Sequence, residues 1–408
     1  MGKRKQFLIL DIDGVLLEAE GYRAACVDTI NHFISLMGQP DIFITREIAD
    51  VYEASGIACE WDMVPLTLAA FVNRYCETTG TIFADDSFPP RCGQKGAFTN
   101  SDFRSMMLGQ IREYASLLNS SETCIDAIYH GYISREGAGL DALWNQPVRD
   151  RFFVDTLDPW KSPFFAELMN RLLGKNTFED FYGLAAPLDC ESYLETKDRL
   201  LISEYYRKLL PEIQGKGVYP AVMTYRPTRF PSEGNKGSSH FVNTPEGECA
   251  LKMLGWDHGR IPMIGTGSLC YIEEKYHLRR EQYVKPHPFH ALASAMIGLC
   301  NNEIQASELA RVLCEADPET VQDPLQGMLS RDDKIELAVF EDSVSGIESV
   351  RNAGEILKRW KYDVKVTCCG ISTTEAKNQR LKNAGVKIYN NVNTAFDFVL
   401  GETFEKGI

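Results

Sequence analysis

Six short runs of mostly apolar residues are distributed along the chain, and each has the length of a β-strand. They cover residues 7–10, 219–223, 261–264, 337–340, 364–369 and 386–389. Because most of these runs are continuous rather than alternating, they are typical of strands that are covered on both faces. Between the later runs, apolar residues recur at helical spacing, as in residues 245–254 and 345–360. Strands that alternate with helices predict an α/β fold with a doubly wound parallel sheet of Rossmann-like type.

The segment between the first and the second run has a different character. Its apolar residues recur at helical spacing over residues 22–37, 61–76, 101–118 and 121–134, and a further helix is predicted over 191–210. The simplest arrangement is a helical domain inserted after the first strand of an α/β core. We therefore expect a discontinuous core of residues 1–18 and 205–408, with a helical domain at residues 19–204.

The chain is acidic, and its negative charge argues against some kinds of binding partner. Its 408 residues include 43 Lys and Arg against 57 Asp and Glu, which gives a net charge of −14. Such a surplus argues against nucleic acid or an anionic membrane as the main partner, because both carry negative charge. A small anionic substrate is still compatible with this charge, since a local cluster of cations can outweigh the negative net charge of the whole protein.

The first residues of the chain and the spacing of its cysteines are typical of a cytoplasmic protein. The apolar run at residues 7–10 ends at Asp11, far short of a signal sequence or a membrane span. The 12 cysteines include no Cys-x-x-Cys pair, so neither a zinc ribbon nor a disulfide framework is indicated. We therefore expect reduced thiols and a cytoplasmic location.

The first predicted strand is followed by two carboxylates, Asp11 and Asp13, and then by Gly14. Ligands of open α/β sheets bind beyond the carboxyl ends of the strands, where this pair would lie. Residues two apart can point to the same side, so both carboxylates could face one ligand. Taken alone, Asp-x-Asp-Gly could equally well serve only to make the turn after the strand.

Four segments, in this order along the chain, resemble the four motifs of the haloacid dehalogenase (HAD) superfamily. The first is Asp-Ile-Asp-Gly-Val, which starts at Asp11, and the second is Thr224, which follows a strand-like run and precedes Tyr-Arg-Pro. The third contains Lys285 within Lys-Pro-His-Pro, and the fourth is Glu341-Asp342 after another strand-like run. The resemblance implies a HAD-like core and a phosphatase or phosphomutase activity.

The resemblance also implies what the inserted segment is. Residues 19–204 lie where the superfamily places its helical cap of the first type, although this insert is much longer than we expect of such caps. Caps of that superfamily supply contacts to the substrate, and their closing excludes water from the reacting centre. A large cap favours a small organophosphate, such as a sugar phosphate or a nucleotide, over a phosphoprotein.

A chemical role for each motif residue follows from the resemblance. Asp11 would be the nucleophile that forms an aspartyl-phosphate intermediate, and Asp13 would protonate the leaving alcohol and later help to activate water. Thr224 would hydrogen-bond the phosphate, while Lys285 would neutralise it and restrain Asp11. A carboxylic acid at Asp13 favours phosphate ester chemistry, because the release of a halide needs no proton donor.

A magnesium site is implied by the same resemblance. Mg²⁺ prefers oxygen ligands and usually keeps several waters. Its protein ligands would be Asp11, the backbone carbonyl of Asp13, and Asp342. Glu341 is expected to orient these ligands without touching the ion, with direct ligation as the alternative.

Each motif residue has an ordinary structural explanation when it is taken alone. Thr224 could bond to backbone at the end of a strand, and Lys285 could be a solvated surface residue. Glu341 and Asp342 could form the N-terminus of a helix, where acidic side chains complement the helix dipole.

Four neighbouring residues are weaker candidates. Arg226 and Arg229 follow Thr224 and could either reach a phosphate or lie at the surface. His287 and His290 lie beside the third motif but lack the partners of a metal site, so we expect both to be structural.

Hydrolysis of a small organophosphate monoester with Mg²⁺ is the leading functional hypothesis, and a small phosphorylated metabolite is the expected partner. A phosphomutase acting on a sugar phosphate would use the same four motifs and is the alternative. A third hypothesis is a binding protein that retains the fold without turnover, and the intact set of motifs counts against it.

Overall fold

Two compact units make up the chain in the computed structural model, which describes residues 2–81, 83, 88–118, 124–134, 146–231, 243–257, 259–279 and 281–405. The first, here called the sheet unit, comprises Met1–Ala19 and Asp198–Ile408, and the second, the helical unit, comprises Glu20–Lys197. No helix among the described residues combines the length and the apolar character that crossing a membrane requires.

The helical unit consists mainly of helices within its described residues. These are α1 (Glu20–Leu36), α2 (Arg46–Ala54), α3 (Glu60–Thr79), α4 (Asn100–Leu117), α5 (Cys124–Ser134), α6 (Gln146–Phe153), α7 (Pro163–Tyr182) and α8 (Tyr193–Thr196). The predicted helices over residues 22–37, 61–76 and 101–118 are confirmed as α1, α3 and α4. The predicted helix over 121–134 begins outside the described residues and is helical from Cys124 onward.

Helix α1 packs against several other helices of the helical unit, namely α2, α3, α7 and α8. Its buried residues include Ile30, Phe33 and Ile34, which lie on one face because helical neighbours are three or four residues apart. Phe33 meets Phe164 of α7 edge to face, with ring centroids 4.7 Å apart. The apolar stripe read from the sequence is therefore the buried face of this helix.

The sheet unit contains a six-stranded sheet. Its strands are β1 (Arg4–Leu10), β4 (Val218–Met223), β5 (Met263–Ile264), β6 (Lys334–Glu341), β7 (Asp363–Ile371) and β8 (Lys387–Tyr389), and a separate two-residue ladder joins β2 (Leu17–Glu18) to β3 (Arg199–Leu200). The six strands lie in the order β5-β4-β1-β6-β7-β8, and every neighbouring pair is parallel. All six predicted strands and the predicted fold class are confirmed.

Helices cover both faces of this sheet. They are α9 (Glu204–Ile213), α10 (Glu246–Leu254), α11 (Thr266–Lys275), α12 (Pro288–Cys300), α13 (Glu303–Glu315), α14 (Val344–Arg359), α15 (Glu375–Asn383) and α16 (Val392–Glu405). Phe7 and Ile9 of β1 belong to one hydrophobic core, which includes residues of α12 and α14. Leu8 and Leu10 belong to a second core, which includes residues of α9 and α16. Because successive residues of a strand point to opposite faces, a sheet buried on both faces needs the continuous apolar runs seen in the sequence.

The chain over residues 191–210 differs from the single helix that its apolar spacing predicts. Helix α8 ends at Thr196, β3 then pairs with β2, and α9 begins only at Glu204. The N–H of Leu201 also donates to the carbonyl of Leu16 at 2.9 Å. Pairing of β3 with β2 overrides the local helical spacing, and the compact helical unit spans Glu20–Lys197.

Candidate active site

Polar side chains gather at the carboxyl edge of the sheet because three strands end there together. β1 lies between β4 and β6 and is parallel to both. Asp11 directly follows β1, Thr224 directly follows β4, and Glu341 is the last residue of β6. The N–H of Asp11 continues the ladder by donating to the carbonyl of Phe340 at 3.0 Å. Three of the four HAD-like motifs are thereby brought to one edge, where ligands of such sheets bind.

The Lys285 ammonium forms hydrogen bonds to several groups at this edge. It donates to Asp11 Oδ1 at 2.9 Å, to Glu341 Oε2 at 2.8 Å and to the carbonyl of Met223 at 3.2 Å. Its side chain is only 8% exposed. Since an ammonium group has three N–H donors, these bonds use all of them. Lys285 is thus a buried cation at the edge, and the alternative of a solvated surface lysine is wrong.

Glu341 is held on both of its carboxylate oxygens. Oε2 accepts from Lys285, and Oε1 accepts from the hydroxyl of Ser343 at 2.8 Å. Gly346, in the first turn of α14, lies so close that a Cβ there would overlap the Glu341 carboxylate. The side chain is therefore fixed by its neighbours and is 1% exposed.

Asp342 completes a group of three carboxylates. One ligand oxygen from each of Asp11, Glu341 and Asp342 lies within 4.8 Å of the other two. Gly14 has a φ of 74°, and a Cβ on it would lie 2.5 Å from Asp342 Oδ2, so glycine is needed there for both reasons. Asp342 also forms an ion pair with Lys377 of α15.

The electrostatics of this group reflect an excess of negative charge. Burial raises the pKa of Asp11 well above its usual range, and the Glu341 carboxylate raises it further against the opposing effect of Lys285. Burial and Glu341 likewise raise the pKa of Asp342. Burial disfavours the charged form of Lys285, but attraction by Asp11 and Glu341 outweighs it and raises the pKa of the ammonium. Removing carboxylates from water is costly unless cations balance them, so this edge suits a further cation.

Asp13 makes contacts that differ from those of Asp11. The Arg226 guanidinium donates from Nε to both carboxylate oxygens, at 3.0 and 3.1 Å, and from Nη2 to Oδ1 at 2.6 Å. The same Nη2 also donates to Asp198 Oδ2 at 2.8 Å. Arg226 is almost fully buried, so its placement at the surface, which the sequence left open, is wrong. Arg226 contacts a candidate catalytic carboxylate.

Thr224 is fully buried at the end of β4. Its N–H donates to the carbonyl of Ile264 at 3.1 Å, and its hydroxyl oxygen accepts from the N–H of Arg226 at 3.0 Å. Because that oxygen accepts one hydrogen bond, its own hydrogen can still donate to a ligand at the edge.

The remaining candidates serve the local structure. Arg229 is exposed, and its N–H donates to Glu248 Oε1 at 2.9 Å. His287 caps α12 by accepting from the N–H of Phe289. The Nε2 atom of the buried His290 lies 3.1 Å from the carbonyl of Ile264, and burial lowers the pKa of this imidazole to about 3. The expectation that both histidines are structural agrees with these contacts.

Two residues at the edge were missed in the sequence. Asp198 lies in the segment that was predicted as a continuous helix, and Lys377 follows the fourth motif by more than thirty positions. Neither belongs to a recognisable motif, and each reaches the edge only through the packing of distant elements. The run Tyr-Arg-Pro after Thr224 did contain a usable signal for Arg226, since it places a cation two residues after a motif residue.

Comparison with known proteins finds no matching protein-family model. No curated protein matches the chain either. Among solved structures, the chain is similar to a target of the Northeast Structural Genomics Consortium, with 13% identity and a TM-score of 0.62 over 98% of this chain and 99% of that one. At this level of identity the similarity shows the fold alone.

Two further solved structures match with lower scores. A phosphatase from Thermococcus thioreducens has 14% identity and a TM-score of 0.43, over 92% of this chain and 99% of its own. A hydrolase from Pseudomonas syringae has 11% identity and a TM-score of 0.30, over 99% and 100%. Because these TM-scores are low, neither match adds to what the side chains at the sheet edge indicate.

Proposed function

We propose that this protein is a Mg²⁺-dependent phosphatase of the HAD superfamily, which hydrolyses a small organophosphate monoester through an aspartyl-phosphate intermediate. The observation that carries the proposal is Lys285, whose ammonium donates hydrogen bonds to Asp11 and Glu341 at the sheet edge. Thr224 directly follows β4 at the same edge. Residues from three separate segments supply a nucleophile, a proton donor, a hydroxyl and a cation there, and Glu341 from a fourth segment accepts a hydrogen bond from that cation. A shared fold would not support an activity, whereas such a set of groups does.

The first chemical step in this proposal is transfer of the phosphoryl group to Asp11. A carboxylate oxygen of Asp11 attacks the phosphorus, and the bond between phosphorus and the leaving oxygen breaks. The leaving oxygen takes the proton of the Asp13 carboxyl group, so a neutral alcohol departs. Phosphorylated Asp11 and ionised Asp13 remain.

The second step restores the enzyme. Asp13 accepts a proton from water while the water oxygen attacks the phosphorus, and the bond between phosphorus and Asp11 breaks. Inorganic phosphate leaves, and the Asp11 carboxylate and the Asp13 carboxyl group are regenerated. Lys285 balances the negative charge of the phosphoryl group, and the Thr224 hydroxyl donates to one of its oxygens.

The donor set at the edge fits a divalent cation that prefers oxygen. Asp11, Asp342 and the backbone carbonyl of Asp13 would hold Mg²⁺, since carboxylate and carbonyl oxygens are its usual protein ligands. Glu341 is engaged by Lys285 and Ser343, which supports an orienting role for it. When bound, the ion supplies positive charge against the charge of the phosphate.

The helical unit is, in this proposal, the cap of the first type. It enters the chain between β2 and β3, at the place where the superfamily carries such caps. A large cap and a net charge of −14 support a small phosphorylated metabolite as the substrate, and they disfavour nucleic acid.

Phosphate release is the measurement that tests the proposal. With Mg²⁺ we expect release from p-nitrophenyl phosphate and from at least one member of a panel of phosphorylated metabolites. Asp11→Asn should lower turnover by about 10³-fold or more, because an amide is a poor nucleophile. Asp332→Asn, at an exposed loop position, is the control and should turn over normally.

The alternatives predict different results. Undiminished turnover in Asp11→Asn would refute the assignment of the nucleophile. Isomerisation of a sugar monophosphate in the presence of its bisphosphate, without release of phosphate, would identify a phosphomutase. No release from any substrate would favour a binding protein.

A further inference from the structure

We propose that Asp198 is a positioning residue that orients the proton donor Asp13 through Arg226. This inference rests on the proposed function, because it concerns the step in which the leaving oxygen is protonated. Asp198 lies outside all four HAD-like motifs, and it contacts Arg226, which in turn contacts Asp13.

The three side chains form a chain of hydrogen bonds with one buried end and one open end. Asp198 Oδ2 accepts from Arg226 Nη2 at 2.8 Å, and the same nitrogen donates to Asp13 Oδ1 at 2.6 Å. The side chain of Asp198 is 0% exposed and that of Arg226 is 1% exposed, whereas that of Asp13 is 40% exposed. The buried carboxylate therefore anchors the guanidinium, and the guanidinium meets the carboxylate that is open to a substrate.

The main chain holds both the arginine and the buried carboxylate of this arrangement. The N–H of Arg226 donates to the hydroxyl oxygen of Thr224 at 3.0 Å, so the arginine is tied to the end of β4. Asp198 immediately precedes β3, which pairs with β2 a few residues after Asp13. The two carboxylates are thus held on neighbouring stretches of backbone.

A guanidinium is well suited to orient a carboxylate. Its planar fork of donors fixes the plane of the carboxyl group, which a lysine ammonium would leave free to rotate. A proton donor must point at the leaving oxygen, and small errors of placement lower the rate strongly. Asp198 touches no reacting atom in this scheme and acts only by keeping Arg226 in place.

Substrates that differ in their need for a proton test this role. An alkyl phosphate needs protonation of its leaving oxygen, whereas 2,4-dinitrophenyl phosphate releases a stable phenolate without it. The value of kcat/KM reports the steps up to release of the leaving group, so it isolates the phosphorylation of Asp11 from the later use of Asp13 with water. We expect Asp198→Asn to lower kcat/KM for the alkyl ester about tenfold or more, and for the dinitrophenyl ester less than about threefold.

A double-mutant cycle with Asp13→Asn gives the second readout. If Asp198 acts through Asp13, then adding Asp198→Asn to Asp13→Asn should leave kcat/KM for the alkyl ester within about twofold of the single variant. Glu167→Gln is the matched control, because it removes a buried carboxylate that pairs with Arg171 in the helical unit. We expect it to leave the ratio of the two kcat/KM values unchanged.

Arg226→Lys covers the case in which Asp198→Asn fails to fold. It keeps the positive charge but loses the fork, and the same selective loss on the alkyl ester is expected. Equal losses on both esters, or additive losses in the cycle, would overturn the inference. If Asp13→Asn itself leaves turnover of the alkyl ester intact, then the proposed mechanism fails first, and the two failures are thereby distinguished.

Discussion

One buried carboxylate of the helical unit, Glu167, and the buried carboxylates of the sheet edge differ in the balance of charge around them. In the helical unit, Glu167 accepts from Arg171 Nη2 at 2.8 Å and meets His32 Nδ1 at 2.6 Å. At the sheet edge, Asp11 and Glu341 instead share the one Lys285 ammonium. Glu167 thus has two basic partners, whereas at the edge two carboxylates share a single cation.

This difference distinguishes Glu167, whose charge is balanced by its neighbours, from the sheet-edge carboxylates, whose charge is only partly balanced. Burying a charge costs free energy unless partners compensate it, and Glu167 is compensated by its neighbours. At the sheet edge burial, and then the Glu341 carboxylate, raise the pKa of Asp11 and of Asp342, so binding of a further cation there would be favourable. Perturbed carboxyl groups that gather at an edge where ligands bind are candidates for a functional site.

The largest expected effect comes from removing one basic partner in each unit. Lys285→Met leaves Asp11 and Glu341 without the cation they share, and we expect a loss of about 3–5 kcal/mol in the free energy of unfolding at pH 7. Arg171→Met should cost less, about 1–3 kcal/mol, because Glu167 keeps His32. Urea unfolding in the presence of EDTA measures both. A loss for Arg171→Met that equals or exceeds that for Lys285→Met would remove the distinction between the two units.

A bound divalent cation should raise the free energy of unfolding through its contacts at the sheet edge. At a Mg²⁺ concentration of about 100 times its dissociation constant, we expect the free energy of unfolding to rise by about 2.7 kcal/mol. Asp342→Asn should lose most of this increase, since Asp342 is a proposed ligand. Glu167→Gln should keep it, although its stability without metal is lower. Thermal unfolding with and without Mg²⁺ gives the comparison, and a full increase in Asp342→Asn would contradict the ligand set.

The smallest effect, when it is counted per unit of pH, is the change of stability with pH, and it tests whether the buried His290 near Lys285 makes the sheet unit sensitive to acid. Burial, with Lys285 as a lesser cause, lowers the pKa of His290 to about 3, whereas an unfolded histidine titrates near its ordinary value of about 6.5. Between these values only the unfolded state binds the proton, so His290 makes stability fall as the pH falls through this window. We expect His290→Gln to reduce that slope by up to about 1.4 kcal/mol per pH unit.

The pH slope has an internal control. Above about pH 7 the imidazole is neutral in both states, so the curves of the native protein and of His290→Gln should run parallel there. A slope that is identical in the two proteins between pH 6.5 and 4 would show that His290 contributes nothing to acid sensitivity.

The strands could be predicted from the sequence because a sheet buried on both faces favours continuous apolar runs in the middle of its strands. The carboxyl-edge placement of Asp11, Thr224 and Glu341 also followed, since parallel strands end together. In contrast, the helical spacing over residues 191–210 gave the wrong element, because pairing of β3 with β2 outweighs a local preference.

The contact between Arg226 and Asp198 could not be predicted from the sequence, for a related reason. A lone arginine after a strand is as compatible with solvent as with a buried pair. Its partner Asp198 is 28 positions away, in a segment whose pattern indicated helix. Contacts between distant segments depend on how the elements pack, which one-dimensional spacing does not encode.

The short ladder between β2 and β3 also bears on how readily the segment inserted between these two strands can be lengthened, shortened or replaced. Leu17 pairs with Leu200 and Glu18 with Arg199, so the chain leaves the sheet unit and returns to it at adjacent points. Once two crossing points are fixed side by side, the length of the segment between them hardly affects the entropy of closing it. Domain insertions succeed where the ends of the inserted segment are close together. The α/β core can therefore accept longer, shorter or unrelated segments at this junction while the carboxylates at the sheet edge are retained.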